Sequence, residues 1–322
     1  MNRYLLRRVL LSIVQLWLVV TVIFSFIHIL PGDPAGVILG SSESYQATPG
    51  QLAMVRKEMG LDRPVLEQYT VYMGKLLKGD FGKSLITGRS VALDLKLRFE
   101  RTLQLVIPSV LLSSLIGVVI GLITARYHGK AADLVLTTIG LVAYSMPSFV
   151  FGILLVLIFA IKMGMLPSSG FIELSVDTGK AIFFMVLPVI TLGARGAATV
   201  MRMTRMAVME NILLDYVRTA RAKGLSESVV LIRHVLRNAL LPVVTVIGLQ
   251  FGSIFAGAVI VESIFNWPGL SSLLLNSINS RDYPLIQGAM LVLSAIFVVT
   301  NLITDLSYAY LDPRISINEG GK

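Results

Sequence analysis

Gly82-Lys83-Ser84 are the residue types that close a phosphate-cradling loop, in which backbone N–H groups and a lysine hold a nucleotide. The full pattern needs a glycine at position 77, which is Leu77, so the sequence predicts no ATP site and no ATPase activity in this chain alone. His28, His128 and His234 are too scattered for a zinc protease, which needs two histidines and a glutamate on one helix face. A bare metal ion finds no ligand cluster either. With no cysteine, a disulfide framework, thiolate metal sites and cysteine nucleophiles are excluded. No G-x-S-x-G occurs, and no acidic pair lies within an apolar run to do general acid/base work. The enzymatic classes are left without residues to carry them.

What remains is a basic stretch. Between 195 and 238 lie Arg195, Arg202, Arg205, Arg218, Arg221, Lys223, Arg233 and Arg237, against Glu210, Asp215 and Glu227. Residues 215–223 predict a short helix, with Asp215 favourable at its N-terminus and Arg221 and Lys223 near its C-terminus. Gly224 suits a left-handed stop, and Ser226 an N-cap for a further helix over 229–240. Pro242 marks re-entry into an apolar run. Positions 216, 219, 220 and 223 share one face. Small Thr219 and Ala220 would allow close approach there, and Tyr216 would fill a socket. A short helix between two stiff ones is a part built to be pushed by another protein. A basic loop lying on anionic headgroups and a helix-turn-helix are the alternatives. Tethering between apolar runs disfavours nucleic acid.

The elements that must position this stretch read as membrane spans. Mean hydropathy is +0.77 and only 15% of residues are charged, where soluble domains carry about 25%. A bilayer core needs about 20 mostly apolar residues per helix. Residues 9–30, 102–124, 134–161, 181–201, 241–261 and 285–310 qualify. The first run is too long for a signal core and lacks small residues at a cleavage position. The third is long enough to tilt as one span. Pro108, Pro147 and Pro188 lie inside spans, and Pro242 and Pro284 at the mouths of two more. Neighbouring helices re-satisfy the backbone groups that such prolines free.

Basic residues in short loops orient the spans. Arg3, Arg7, Arg8, Arg126, Lys130 and the 195–238 stretch fall on one side, which places both termini and that stretch in the cytosol. The 31–101 segment is then external; long loops escape the charge rule. Within it, Thr48-Pro49-Gly50-Gln51 predicts a capping box, Gly60 a helix end, and Pro64 and Gly79 the bounds of a second surface helix. Arg195 reads as lying near the cytosolic end of the fourth span and Asp305 near that of the last, where snorkelling or helix pairing accounts for both. Asn301 and Gln250 read as interhelical hydrogen-bonders. No acidic residue near a midplane and no clear repeat between halves support a secondary transporter.

Residues 215–225, followed by Arg233-His234-Val235-Leu236-Arg237-Asn238-Ala239-Leu240-Leu241-Pro242, resemble the cytoplasmic "EAA" loop of ABC importer permeases, in the form of the dipeptide, oligopeptide and nickel branch. The general pattern places Glu-Ala-Ala six residues before the glycine. Here those positions are Arg218, Thr219 and Ala220, a departure shared with the peptide branch. Further similarities run through Leu30-Pro31-Gly32-Asp33-Pro34, Gly79-Asp80-Phe81-Gly82-Lys83-Ser84, Val261-Glu262-Ser263-Ile264-Phe265-Asn266-Trp267-Pro268-Gly269-Leu270, Arg281-Asp282-Tyr283-Pro284, Asn301-Leu302-Ile303-Thr304-Asp305 and Leu311-Asp312-Pro313-Arg314.

The resemblance implies an all-α membrane protein of about six spans with the type I ABC importer permease fold. Residues 1–101 would form an N-terminal span plus an extracytoplasmic helical segment, and 102–322 a five-helix core with a coupling loop over 201–241. It also implies the partners: a second, homologous permease subunit, two cytosolic ATPases that bind ATP and Mg, and an extracytoplasmic substrate-binding protein, all in or at a bacterial inner membrane. Asp215, Tyr216, Arg218, Thr219, Ala220, Arg221, Lys223, Gly224 and Leu225 would form the ATPase-coupling site, with 216–223 as lever and Gly224 as hinge. Di- or oligopeptides are the implied substrate, with nickel or a metal chelate as the alternative. An ATP-independent secondary transporter is a third reading.

Overall fold

Apolar runs of more than 20 residues leave the backbone no solvent to bond with, so they close their hydrogen bonds internally as helices. The computed structural model describes residues 2–29, 35–36, 48–58 and 62–311. Gly60 and the 30–34 and 312–314 motif residues lie outside them, as do the side chains of Arg3, His28 and Asp305. Among the described residues the regular structure is helical, with one isolated bridge between Lys83 and Ser90. We number the helices α1 Asn2–Ile29, α2 Pro49–Glu58, α3 Val65–Leu77, α4 Val91–Arg126, α5 Ala131–Ser145, α6 Ser148–Lys162, α7 Thr178–Asn211, α8 Asp215–Ala222, α9 Glu227–Ile264, α10 Leu270–Asn279 and α11 Tyr283–Leu311. The second half of α6 (Val156–Lys162) and the Val230–Val235 part of α9 are π-helical. Five of these helices are long and apolar enough to cross a membrane, or six spans if α5 and α6 are counted as one.

That pair corrects the expectation of one tilted span over 134–161. α5 and α6 bend by 109° at Met146-Pro147. A proline ring clashes with a preceding α-conformation, and Met146 accordingly sits at φ −74°, ψ 129°. Pro108, Pro188 and Pro242, by contrast, stay inside continuous helices. Ser109 Oγ, next to Pro108, donates to Leu105 O at 2.7 Å in the same turn. α9 runs through Pro242 without a break. α7 continues as helix past the 181–201 run to Asn211.

The chain divides into two compact units. The first comprises Met1–Val9, Leu103–Trp267 and Val299–Lys322. Its centre is α7, of whose apolar window 56% is buried. α4 lies close on α7: a Cβ on Gly117 would come within 2.5 Å of Val200 Cβ, and one on Gly121 within 2.6 Å of Met201 O. Those two glycines are spaced as in the membrane G-x-x-x-G contact. Across the other side of α7, Gln250 of α9 donates to Gly196 O at 2.9 Å, the interhelical bond expected of it. Beyond α9, buried Trp267 stands edge-on to Phe171 at 4.8 Å and donates its backbone N–H to Glu262 O.

The second unit comprises Leu10–Thr102 and Pro268–Val298. Both helices expected within the 31–101 segment form there. Thr48 and Gln51 exchange capping-box bonds, and Pro64 and Gly79 (φ +74°) bound α3 as expected. α3 lies against α1 through Phe24, whose ring is 5.3 Å from Tyr69 and 5.5 Å from Tyr72. Burial pushes the Tyr72 phenol up to about 12. Val91, Leu95, Leu270, Leu273, Leu285 and Ala289 make the apolar centre. α10 was not foreseen in sequence.

Candidate functional site

α8 is a two-turn helix between the ends of α7 and α9. Leu214 (ψ 150°) breaks the chain out of α7, Asp215 occupies the first turn and Arg221 the last, and Gly224 at φ +77° closes it. Gly224 N–H donates to Arg221 O, and Lys223 N–H to Thr219 O, which satisfies carbonyls that a helix end leaves open. Arg221 then grips Glu227 of α9 through Nε to Oε1 at 2.7 Å and a second nitrogen to Oε2 at 3.3 Å. Ser226 holds the N-cap conformation without a side-chain bond.

The expected face is divided. Val217 and Ala220 point inward, 0% and 6% exposed, into a cluster with Ala207 and Val208 of α7, Val230, Leu231, Val235 and Ala239 of α9, and Ala125 of α4. Tyr216 packs against the same cluster and donates its hydroxyl to Asn211 Oδ1 at 3.2 Å. So Tyr216 and Ala220 anchor α8, while Asp215, Arg218, Thr219, Arg221, Lys223, Gly224 and Leu225 lie exposed. Burial of Val217 alone is worth about 1.5–3 kcal/mol where water is the solvent, more than the exposed Asp215–Arg218 pair, at 3.7 Å, can add. Leu213 and Leu214, exposed by 78% and 48%, extend the open surface with apolar side chains. Sequence reasoning passed over them as the end of α7, although two leucines bared before a polar helix were a legible signal.

Among the described residues no group of three or more His, Cys, Asp or Glu stands together to hold a metal. Nor does the 82–84 stretch form a phosphate cradle. Ser84 Oγ donates to Asp282 Oδ2 at 2.5 Å, Leu85 N–H donates to Asp282 Oδ1, and Ile86 and Thr87 N–H converge on Ser84 Oγ. The groups that would bind a phosphate are turned onto a carboxylate of the chain itself.

A second polar cluster was missed in sequence. Arg205 of α7 holds Asp133 of α5 through both nitrogens, at 3.0 and 2.9 Å, and His128 and Gly129 N–H close on the same carboxylate. Nothing in the spacing of 133 and 205 announces this, since the pair depends on α5 and α7 lying side by side. Arg195 lies at the middle of the helix α7, which runs on past the 181–201 run to Asn211.

Residues 117–317 match the family described as binding-protein-dependent transport system inner membrane component, and residues 1–106 match its N-terminal membrane component. The chain is 41% identical to the glutathione transport system permease protein GsiC of Salmonella choleraesuis (strain SC-B67), over 98% of this chain and 99% of that one. It is 40% identical to the protein of the same name from Escherichia coli (strain K12), with the same coverage. A crystal structure described as an amino acid ABC transporter with histidines superposes with TM-score 0.45 and 19% identity, covering 69% of this chain and 94% of that one.

Proposed function

The chain belongs to the binding-protein-dependent transport system inner membrane components, the permease subunits of type I ABC importers, and on that premise we propose that α8 is its coupling helix, driven by a cytosolic ATPase, and that its cargo is a di- or oligopeptide. The observation that carries the coupling role is the two-sidedness of α8: Val217 and Ala220 fix it to α7 and α9, while Arg218, Thr219 and Lys223 face outward beside Leu213 and Leu214. A push on the open side is delivered through the buried side into two long helices.

In this reading ATP and Mg are bound by two partner ATPases, and this chain supplies half of the path beside a second permease subunit. An external binding protein delivers the solute. The complex sits in a bacterial inner membrane with both termini cytoplasmic, as the basic short loops favour. Relatives named for glutathione transport, a tripeptide cargo, support the peptide class.

The chain has no cysteine, so Thr219→Cys introduces a unique thiol. In the assembled importer it is expected to form a disulfide with a cysteine placed in the ATPase groove, whereas Ala220→Cys, turned inward, is not. Equal trapping of both, or of neither while the complex remains intact, sinks the coupling assignment.

A further inference from the structure

Arg195 and Arg202 lie two turns apart on one face of α7, with Thr199 between them. Their guanidinium carbons stand 5.0 and 4.1 Å from the ring centre of Tyr144 on α5. Among the described residues neither meets a carboxylate, whereas Arg205, farther along the same helix, is matched bidentate by Asp133. One arginine of α7 is thus neutralised within the chain, and two are held against Tyr144 with no carboxylate partner among the described residues.

A lipid phosphate is the competing anion. Arg195 lies inside the 181–201 apolar run, about 9 Å of helix before its end, and Arg202 lies just past that end. Leu136, Ile139 and Ala143 of α5 and Ala194, Ala197 and Met201 of α7, with Ser113 of α4, line a largely apolar hollow next to the three residues in sequence but not formed by them. Arginines inside an apolar run generally face a bundle interior or a water-filled cavity. α7 is also the most enclosed span, with 56% of its apolar window buried against 17–33% in the other unbroken ones.

We propose that Arg195, Arg202 and Tyr144 form an anion subsite on the solute path, which holds the carboxylates of an acidic peptide in transit. The guanidinium fork matches a carboxylate in two parallel bonds, and two forks suit a peptide carrying two such groups. The Tyr144 ring keeps both cations oriented when no solute is present, through the weaker cation–π attraction. Tyr144 stands one turn before the Met146-Pro147 break, so a change in that bend would carry the ring across the two cations.

The inference rests on the peptide-import reading and is tested apart from it. The importer, assembled with all its subunits and its binding protein in ATP-loaded vesicles, is assayed for uptake of alanyl-glutamate and of dialanine. Using one binding protein throughout cancels its own preference when variant and wild type are compared. Loss of a charge-assisted hydrogen bond weakens binding by about tenfold. The Arg195→Gln, Arg202→Gln double variant is therefore expected to lower the ratio of acidic to neutral uptake by roughly tenfold or more, with the single Arg202→Gln change intermediate. An unchanged ratio overturns the subsite. So does an effect seen only in vesicles of anionic lipid, which assigns the arginines to headgroups, or loss of co-purification, which assigns them to subunit contact. Failure of the wild type to take up either peptide sinks the cargo reading instead.

Discussion

At Gly224 the backbone turns through φ +77°, and the space where a side chain would stand is open. A β-branched residue is therefore resisted by its own backbone rather than by neighbours, at a cost of about 1–3 kcal/mol. Relaxing that strain means rotating α8 against the end of α9, which disturbs the Arg221–Glu227 grip. Gly224→Val is expected to insert normally and to reduce uptake at least about tenfold, the rate equivalent of about 1.4 kcal/mol. Gly224→Asn, which tolerates the left-handed region, should retain most of it. Membrane fractionation and transport assays on the two variants check this, and equal transport by both would remove the hinge from the account.

At the scale of elements, periodicity and punctuation in the sequence located the spans, the capping-box helix and α8, because each is specified by residues close in the chain. Pro147 was visible too, but its effect was not: Pro108 and Pro188 are bridged inside helices whereas Pro147 breaks one, and the neighbours that decide this are remote in sequence. The same holds for the inward turn of Tyr216 and Ala220, for the Arg205–Asp133 pair, and for α10, whose packing on Val91 and Leu95 is tertiary. The 82–90 loop shows how a local motif can mislead, since its phosphate-like residues are occupied by Asp282. Removing that carboxylate frees the loop. Asp282→Ala is expected to speed tryptic cleavage after Lys83 and Arg89, both exposed, by several-fold, with protease added outside right-side-out cells. Cleavage as slow as in the wild type would show that the loop holds itself.

For the whole molecule, the composition already demanded lipid as solvent, and the basic short loops supplied a direction. The direction has a plain test. Single thiols at Thr87 and Thr219, both exposed, should react with an impermeant maleimide from opposite faces of the membrane, Thr87 from outside and Thr219 only in inverted vesicles. Labelling of both from one side would reverse the assignment of one segment.

At Gly117 and Gly121 α4 contributes no side chain to its contact with α7, and Val200, Thr204 and the carbonyls of Ala197 and Met201 fill the space. Rods in that relation have no slack to take up. If α8 is driven as proposed, a push arriving at Asn211 travels up α7 along a seam on which α4 is already seated at two glycines.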